Sequence, residues 1–241
     1  MLIRYLLATL AAGILAGLLV TPAMYLKTVP LIIQAETYED AGGGHSHGDA
    51  AEAAAPHDHA AAATSEGEEE EGAELPFGRL GNTLLANLVA GAGFALLLGG
   101  VALLLGQRIT PQNGILWGMA GFFAVAFLPA LGLSPELPAM PAADLAQRQL
   151  WWILTVVLSG VGIYMLVLRG EIISKILGLV LIIAPHLYGA PHPEDIASPI
   201  PSLLASQYAV ASLATNLFMW AVIGLALGWF IQAYAKSDIE G

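Results

Sequence analysis

The chain has 241 residues, 57% of them hydrophobic and only 11% charged, and a formal net charge of -11; soluble domains carry about 25% charged side chains, so an ordinary soluble fold is excluded. Twelve of the nineteen acids lie between Glu36 and Glu74, where Lys and Arg are absent, which leaves the rest of the chain near neutral and gives no basic footprint for nucleic acid. Zero cysteine excludes disulfides, thiolate metal sites and thiol nucleophiles, so any metal site must use His, carboxylate, Met, carbonyl or water.

A helix crossing a hydrocarbon core of roughly 30 Å needs about 20 mostly apolar residues. Six mostly apolar runs approach that length, at residues 2–23, 83–105, 115–133, 150–168, 172–188 and 208–234, with Arg4 and Lys175 the only charges inside them. In lipid each must be helical, because only a helix satisfies its own backbone there. The expected fold is therefore all-α, a polytopic membrane bundle of six helices, or five if the first is cleaved or the fifth is re-entrant. Residues 1–35 hold the first span with a kinked extension, 36–78 an acidic His-rich loop, and 79–241 a membrane domain with five further spans.

The first span has a second reading. Arg4, the apolar stretch and the small residues around Ala23 also suit a cleaved signal peptide, although the stretch is longer than the usual apolar region of about 7–15 residues. PLIIQAETYE, residues 30–39, carries the apolar pattern past Pro22 and Pro30, as a kinked extension of the first helix or as a segment lying along the interface. Glycines four apart, Gly13/Gly17, Gly114/Gly118 and Gly224/Gly228, would let helix backbones approach closely; ordinary glycine enrichment of membrane helices gives the same pattern. No repeat of fixed 20–50-residue period is present, and an inverted repeat of spans one to three and four to six is not visible in the residues.

The first long loop contains GGGHSHGD, PHDHA and EGEEEEGAE. Such a composition buries no core, and disorder is expected without a ligand. Its two His-x-His pairs, His45/His47 and His57/His59, sit among acids and together offer the imidazole and carboxylate ligands that a borderline divalent cation takes. A solvated linker is the plainer alternative. Imidazole protonates near about 6.5 and then loses its ligating lone pair, so capture by this loop should be acid-sensitive.

Residues 132–152, GLSPELPAMPAADLAQRQLWW, follow the third span. Asp144 reads as a helix cap that pairs with Arg148 at i,i+4, with Gln149 beside it, and Trp151 and Trp152 read as interfacial aromatics. Glu136, among three prolines, has no such local task and is a candidate oxygen ligand. At the end of the fifth span stands PHLYGAPHPED, residues 185–195. Pro185 should break that span, and Gly189, Pro191 and Pro193 prevent helical continuation. Broken helices at membrane depth are tolerated where protein or a polar cavity meets them, and transporters use them to hold cations. His186 and His192 would supply nitrogens and Glu194 and Asp195 oxygens to one site; a helix-ending turn with water-satisfied histidines is the alternative.

Inside the spans, Asn87, Asn216, Thr215 and Ser212 are the main polar groups, read as helix-to-helix hydrogen bonding before ion ligation. With the N-terminus inside, the inner segments hold Arg4, Arg108, Arg169, Lys175 and Lys236, and the outer ones Lys27, Arg79 and Arg148. That bias favours cytoplasmic termini and puts the His-rich loop, the Glu136 loop and the His192 loop on one outer side. No Lys follows a Gly and no His-Glu-x-x-His occurs, so neither a phosphate-binding P-loop nor a zinc-protease site is present; no catalytic residue and no resident cofactor is expected.

PLIIQAETYE, GILWGMAGFFAVAFLPALGLSPELP, DLAQRQLWW, PHLYGAPHP and SLATNLFMW, in that order, resemble the CbtA family of predicted cobalt transporter subunits across nearly the whole chain apart from the His-rich insert. The resemblance implies a membrane component of cobalt uptake linked to cobalamin supply, working with a small single-span, His-bearing partner, CbtB, and usually about five spans. It also implies roles for His186, His192, Glu136, Asp144, Arg148 and Gln149, which match family blocks. Three positions depart from that pattern: Ser134 stands for an expected proline, Ala139 for glycine and Leu203 for glutamate. The resulting expectation is a multi-pass inner-membrane protein that takes up Co2+, with Ni2+ or Zn2+ as alternatives, and that meets the lipid bilayer, the CbtB-like subunit and a possible second copy of itself. A non-transporting metal-binding anchor or partner subunit is the competing reading, and export, with the His-rich loop inside, a third.

Overall fold

The computed structural model describes residues 2–42 and 77–237; His45, His47, His57 and His59 lie outside the described residues. The helices are α1 (Leu2–Lys27), α2 (Val29–Gly42), α3 (Gly78–Leu104), α4 (Gly114–Phe122) with a π-helical segment (Phe123–Phe127), α5 (Leu128–Ala130), α6 (Leu145–Leu168), α7 (Ile172–Tyr188) and α8 (Ser202–Ser237). Every expected span is helical. α1, α3, α6 and α8 are long and apolar enough to cross a membrane, while the third and fifth expected spans are the shorter apolar helices Gly114–Ala130 and Ile172–Tyr188. The protein is a polytopic membrane helix bundle.

Apolar burial cannot drive helices together in lipid, where the surroundings are as oily as the side chains, so close backbone packing takes its place. α1 packs against α3 and α8, α4 against α8, and α6 against α7. At each of three crossings backbone meets backbone. Gly13 lies on the Gly91 carbonyl and Gly17 on the Asn87 carbonyl; Gly114 and Gly118 lie on the carbonyls of Gly224 and Trp220, and Gly228 on that of Thr110; Gly162 lies on Gly178. The glycine fours legible in α1, α4 and α8 are thus contact faces. Beside them on α1, Ala8, Ala12 and Ala16 are fully buried, one turn apart on one face. Asn87 fastens the same crossing, its amide donating to Thr21 Oγ1 at 3.0 Å and Met24 Sδ at 3.3 Å. Asn216 differs from the expectation of interhelical bonding: its amide returns to the Ser212 carbonyl of its own helix at 3.2 Å.

The third span is short for a local reason. The Leu128 N–H reaches back five residues to the Phe123 carbonyl, and Pro129 has no N–H, so the helix widens into a π turn and ends by Ala130. The buried face of α8 at this level, Trp220, Ile223 and Leu227, packs in one cluster with Phe122, Ala124 and Val125.

A second, smaller cluster closes the end of the bundle where α1 stops and α3, α6 and α8 begin. Thr28, its hydroxyl on the Met24 carbonyl at 3.0 Å, separates α1 from α2. The sequence left residues 30–39 as a kinked extension or an interfacial segment; they form the separate helix α2, which continues to Gly42. Its Ala35 is buried with Leu137, Ile200, Leu204 and Tyr208, and Leu31 and Ile32 pack against them. Two acids tie α2 down. Glu36 grips Arg79 through two bonds of 2.8 and 3.0 Å, and Glu39 accepts the Ala139 N–H at 3.1 Å. Among the described residues, α2, the loop that carries Glu136 and the chain at Ile200 meet at this end.

If the α1–α3 crossing depends on the missing side chain, Gly13→Ala should lower stability by about 1–3 kcal/mol, the range for overpacking. Gly93→Ala, on the same α3 but with open space around it, should leave stability unchanged or slightly raised. Thermal midpoints of the two variants in one detergent check this.

Candidate functional site

The candidate site is assembled where α7 ends and α6 begins. Pro185 was expected to break the fifth span, but α7 continues through it to Tyr188. Loss of a single N–H is tolerated one turn from a helix end; the stop comes from Gly189, whose φ of 93° is readily open only to glycine. The Gly189 N–H closes the turn on the Pro185 carbonyl at 3.1 Å.

Trp151 uses the same carbonyl, donating its indole N–H to Pro185 O at 3.3 Å. The sequence reading placed Trp151 at the membrane interface; it is buried, because Gly132 has no side chain to obstruct its ring and α6 turns its Trp151, Thr155, Ser159 and Gly162 face inward. His186 then packs on Trp151 edge-to-face, with ring centroids 5.8 Å apart. Its Nε2 is buried without a hydrogen-bond partner. That small-polar stripe four residues apart on α6 was the signal for an inward Trp151.

Asp144 caps α6, its carboxylate accepting the Gln147 N–H at 3.0 Å. The expected Asp144–Arg148 pair is not formed. Arg148 turns instead to Glu136, Nη2 to Oε2 2.8 Å, with only 29% and 25% of the two side chains exposed. The proline-rich loop folds back over the first turn of α6, so a partner twelve residues away displaces the local one. Glu136 therefore has a structural partner that its sequence context did not reveal. Burial pushes its carboxyl above the usual range, and the Arg148 charge opposes that shift. Gln149 is half-buried on the same turn.

His192, Glu194 and Asp195 are exposed on the stretch after Gly189, and Asp195 accepts the Ala197 N–H at 2.8 Å in a local turn. Among the described residues, no three His, Asp or Glu side chains gather as a metal site would need. The structure brings His186 to Trp151 and Glu136 to Arg148, and leaves the other three predicted ligands open to solvent. Leu203, which stands where the family pattern led us to expect glutamate, is exposed.

Ala139 has a φ of 62°, a left-handed conformation that glycine adopts without strain, and glycine is what the resemblance led to at this position. Ala139→Gly should therefore stabilise the protein by about 1 kcal/mol, read as a higher thermal midpoint. For Glu136, a raised carboxyl pKa means the folded state binds the proton more tightly. Stability should then rise as pH falls through that pKa towards the ordinary carboxylate value of about 4.3. Across that window the thermal midpoint of the parent protein should climb relative to that of Glu136→Gln, which has no proton to take up.

Residues 2–232 match the family described as "Probable cobalt transporter subunit (CbtA)". No curated protein and no solved structure matches the chain. With the match running from the first residue of α1 almost to the end of α8, the chain belongs to the CbtA family of probable cobalt transporter subunits.

Proposed function

We propose that the protein is the multi-pass inner-membrane component of a cobalt uptake system that accepts Co2+ at the end of the bundle bearing His186 and passes it between helices. The observation that carries this reading is the imidazole of His186, held against Trp151 with a buried, unpartnered Nε2. A buried polar atom without a partner is uncommon and calls for a reason; an imidazole nitrogen with its lone pair free is a ready ligand for Co2+.

In this reading the loop carrying His45, His47, His57 and His59 lies outside and gathers the ion. The exposed His192, Glu194 and Asp195 take it next, and His186 receives it at the mouth. Glu136 enters when its link to Arg148 loosens, turning an oxygen towards the ion. Asn87 and Asn216 steady the helices that border the path, and a small single-span CbtB-like subunit completes the transporter. A second reading, a metal-binding subunit that does not itself conduct, is favoured by the lack of a three-ligand group among the described residues.

In cells bearing the protein and its partner, Co2+ accumulation should fall at least several-fold in His186→Ala and less in His192→Ala. With purified protein, paramagnetic Co2+ should quench the fluorescence contributed by Trp151, identified by comparison with Trp151→Phe, and the quenching should vanish in His186→Ala. Wild-type uptake and quenching in that variant would refute the role of His186. Quenching without influx into liposomes containing both subunits would favour the second reading.

A further inference from the structure

An open groove of about 590 Å3 runs between α1 and the first half of α8, away from His186. Three of its four polar side chains collect at one end, and the fourth, Thr215, turns its hydroxyl to the Ala211 and Ser212 carbonyls of its own helix. Lys27 is the last residue of α1, and Ser206 and Gln207 lie in the second turn of α8. Deeper in, the lining turns apolar and mostly small, with Ala23 one turn below Lys27 and Ala211, Ala214 and Phe218 on successive turns of α8. No carboxylate lines it, and among the described residues Lys27 has no ion-pair partner.

The dimensions select the occupant. From Gln207 to Phe218, at 1.5 Å per residue, the groove descends about 16 Å, which is about half of a hydrocarbon core of roughly 30 Å. A partner's spanning helix would run on past Phe218 into the second leaflet, where none of the groove's lining lies. A lipid of one leaflet fits in depth and charge. The Ser206 hydroxyl already donates to the Leu203 carbonyl at 2.9 Å, which leaves its oxygen free to accept from a headgroup hydroxyl, while Lys27 and the Gln207 amide can donate to phosphate.

We propose that this groove binds an anionic glycerophospholipid, its phosphate on Lys27 and Gln207 and an acyl chain along Ala23, Ala211 and Ala214. The site is independent of the cargo and lies at the Thr28 joint between α1 and α2, so an occupant braces the helix that closes the His-bearing end.

The test is native mass spectrometry of the full chain in mixed micelles containing equal phosphatidylglycerol and phosphatidylcholine of identical chains. The parent protein should retain phosphatidylglycerol several-fold over phosphatidylcholine. Lys27→Gln should bring the two to parity while keeping the parent's thermal midpoint in lipid-free detergent, and Lys27→Arg should restore the preference. Ala211→Phe should lower retention of both lipids. Equal retention by the parent, or an unchanged preference in Lys27→Gln, would overturn the proposal. So would disulfide-linked dimers of Ala214→Cys in membranes, because the chain has no other cysteine and such a link would put a second copy in the groove.

Discussion

In a bilayer, side-chain oiliness brings no two helices together, and this fold rests on backbone touching backbone instead. Gly13 and Gly17 against α3, Gly114 and Gly118 against α8, and Gly162 against Gly178 are positions where a single added carbon would overlap the neighbouring chain. The pairing joins α1 to α3 and α6 to α7, the first two spans of each half, and α4 to α8, the third of each. The sequence shows no inverted repeat, yet glycine contacts recur at corresponding places in the two halves.

From those crossings the His-bearing end follows. The α6–α7 contact at Gly162 and Gly178 sets the height at which the Trp151 indole meets the last turn of α7. The Pro185 carbonyl accepts from both Trp151 and Gly189, so one oxygen fixes both the end of the helix and the ring on which His186 rests. The same turn of α6 carries Arg148 to Glu136. An ion pair at this half-buried level is held by geometry more than by net energy, since desolvation offsets most of the attraction. Removing Glu136 would leave a guanidinium whose Nε already lacks a partner.

Much of this was legible because it is periodic or local. Glycines four apart, apolar runs of spanning length, the Asp144 cap and the Gly189 stop each announce themselves within a few residues. What escaped depends on chain distant in sequence. Arg148 chose Glu136 over Asp144 because a proline-rich loop folded back onto α6, which no i,i+4 rule contains. Trp151 went inward because Gly132, nineteen residues earlier, left room for its ring. Pro185 was read as a stop, although near a helix end it removes one hydrogen bond and the turn closes without it. The π turn at Phe123–Phe127 has a sequence cause in Pro129, but a proline alone does not distinguish a kink from a stop.

The scattered placement of the nitrogen and oxygen donors also bears on selectivity. A closed cage of imidazole and carboxylate would follow the Irving–Williams order and prefer Ni2+ or Cu2+ to Co2+. It would also hold its ion, whereas passage requires each station to bind strongly enough to admit the ion and weakly enough to release it. In the proposed conducting reading, donors presented singly, with His186 inside and His192, Glu194 and Asp195 outside, would meet that kinetic demand. Discrimination for Co2+ would then have to arise beyond the mouth, where the ion sheds its remaining water.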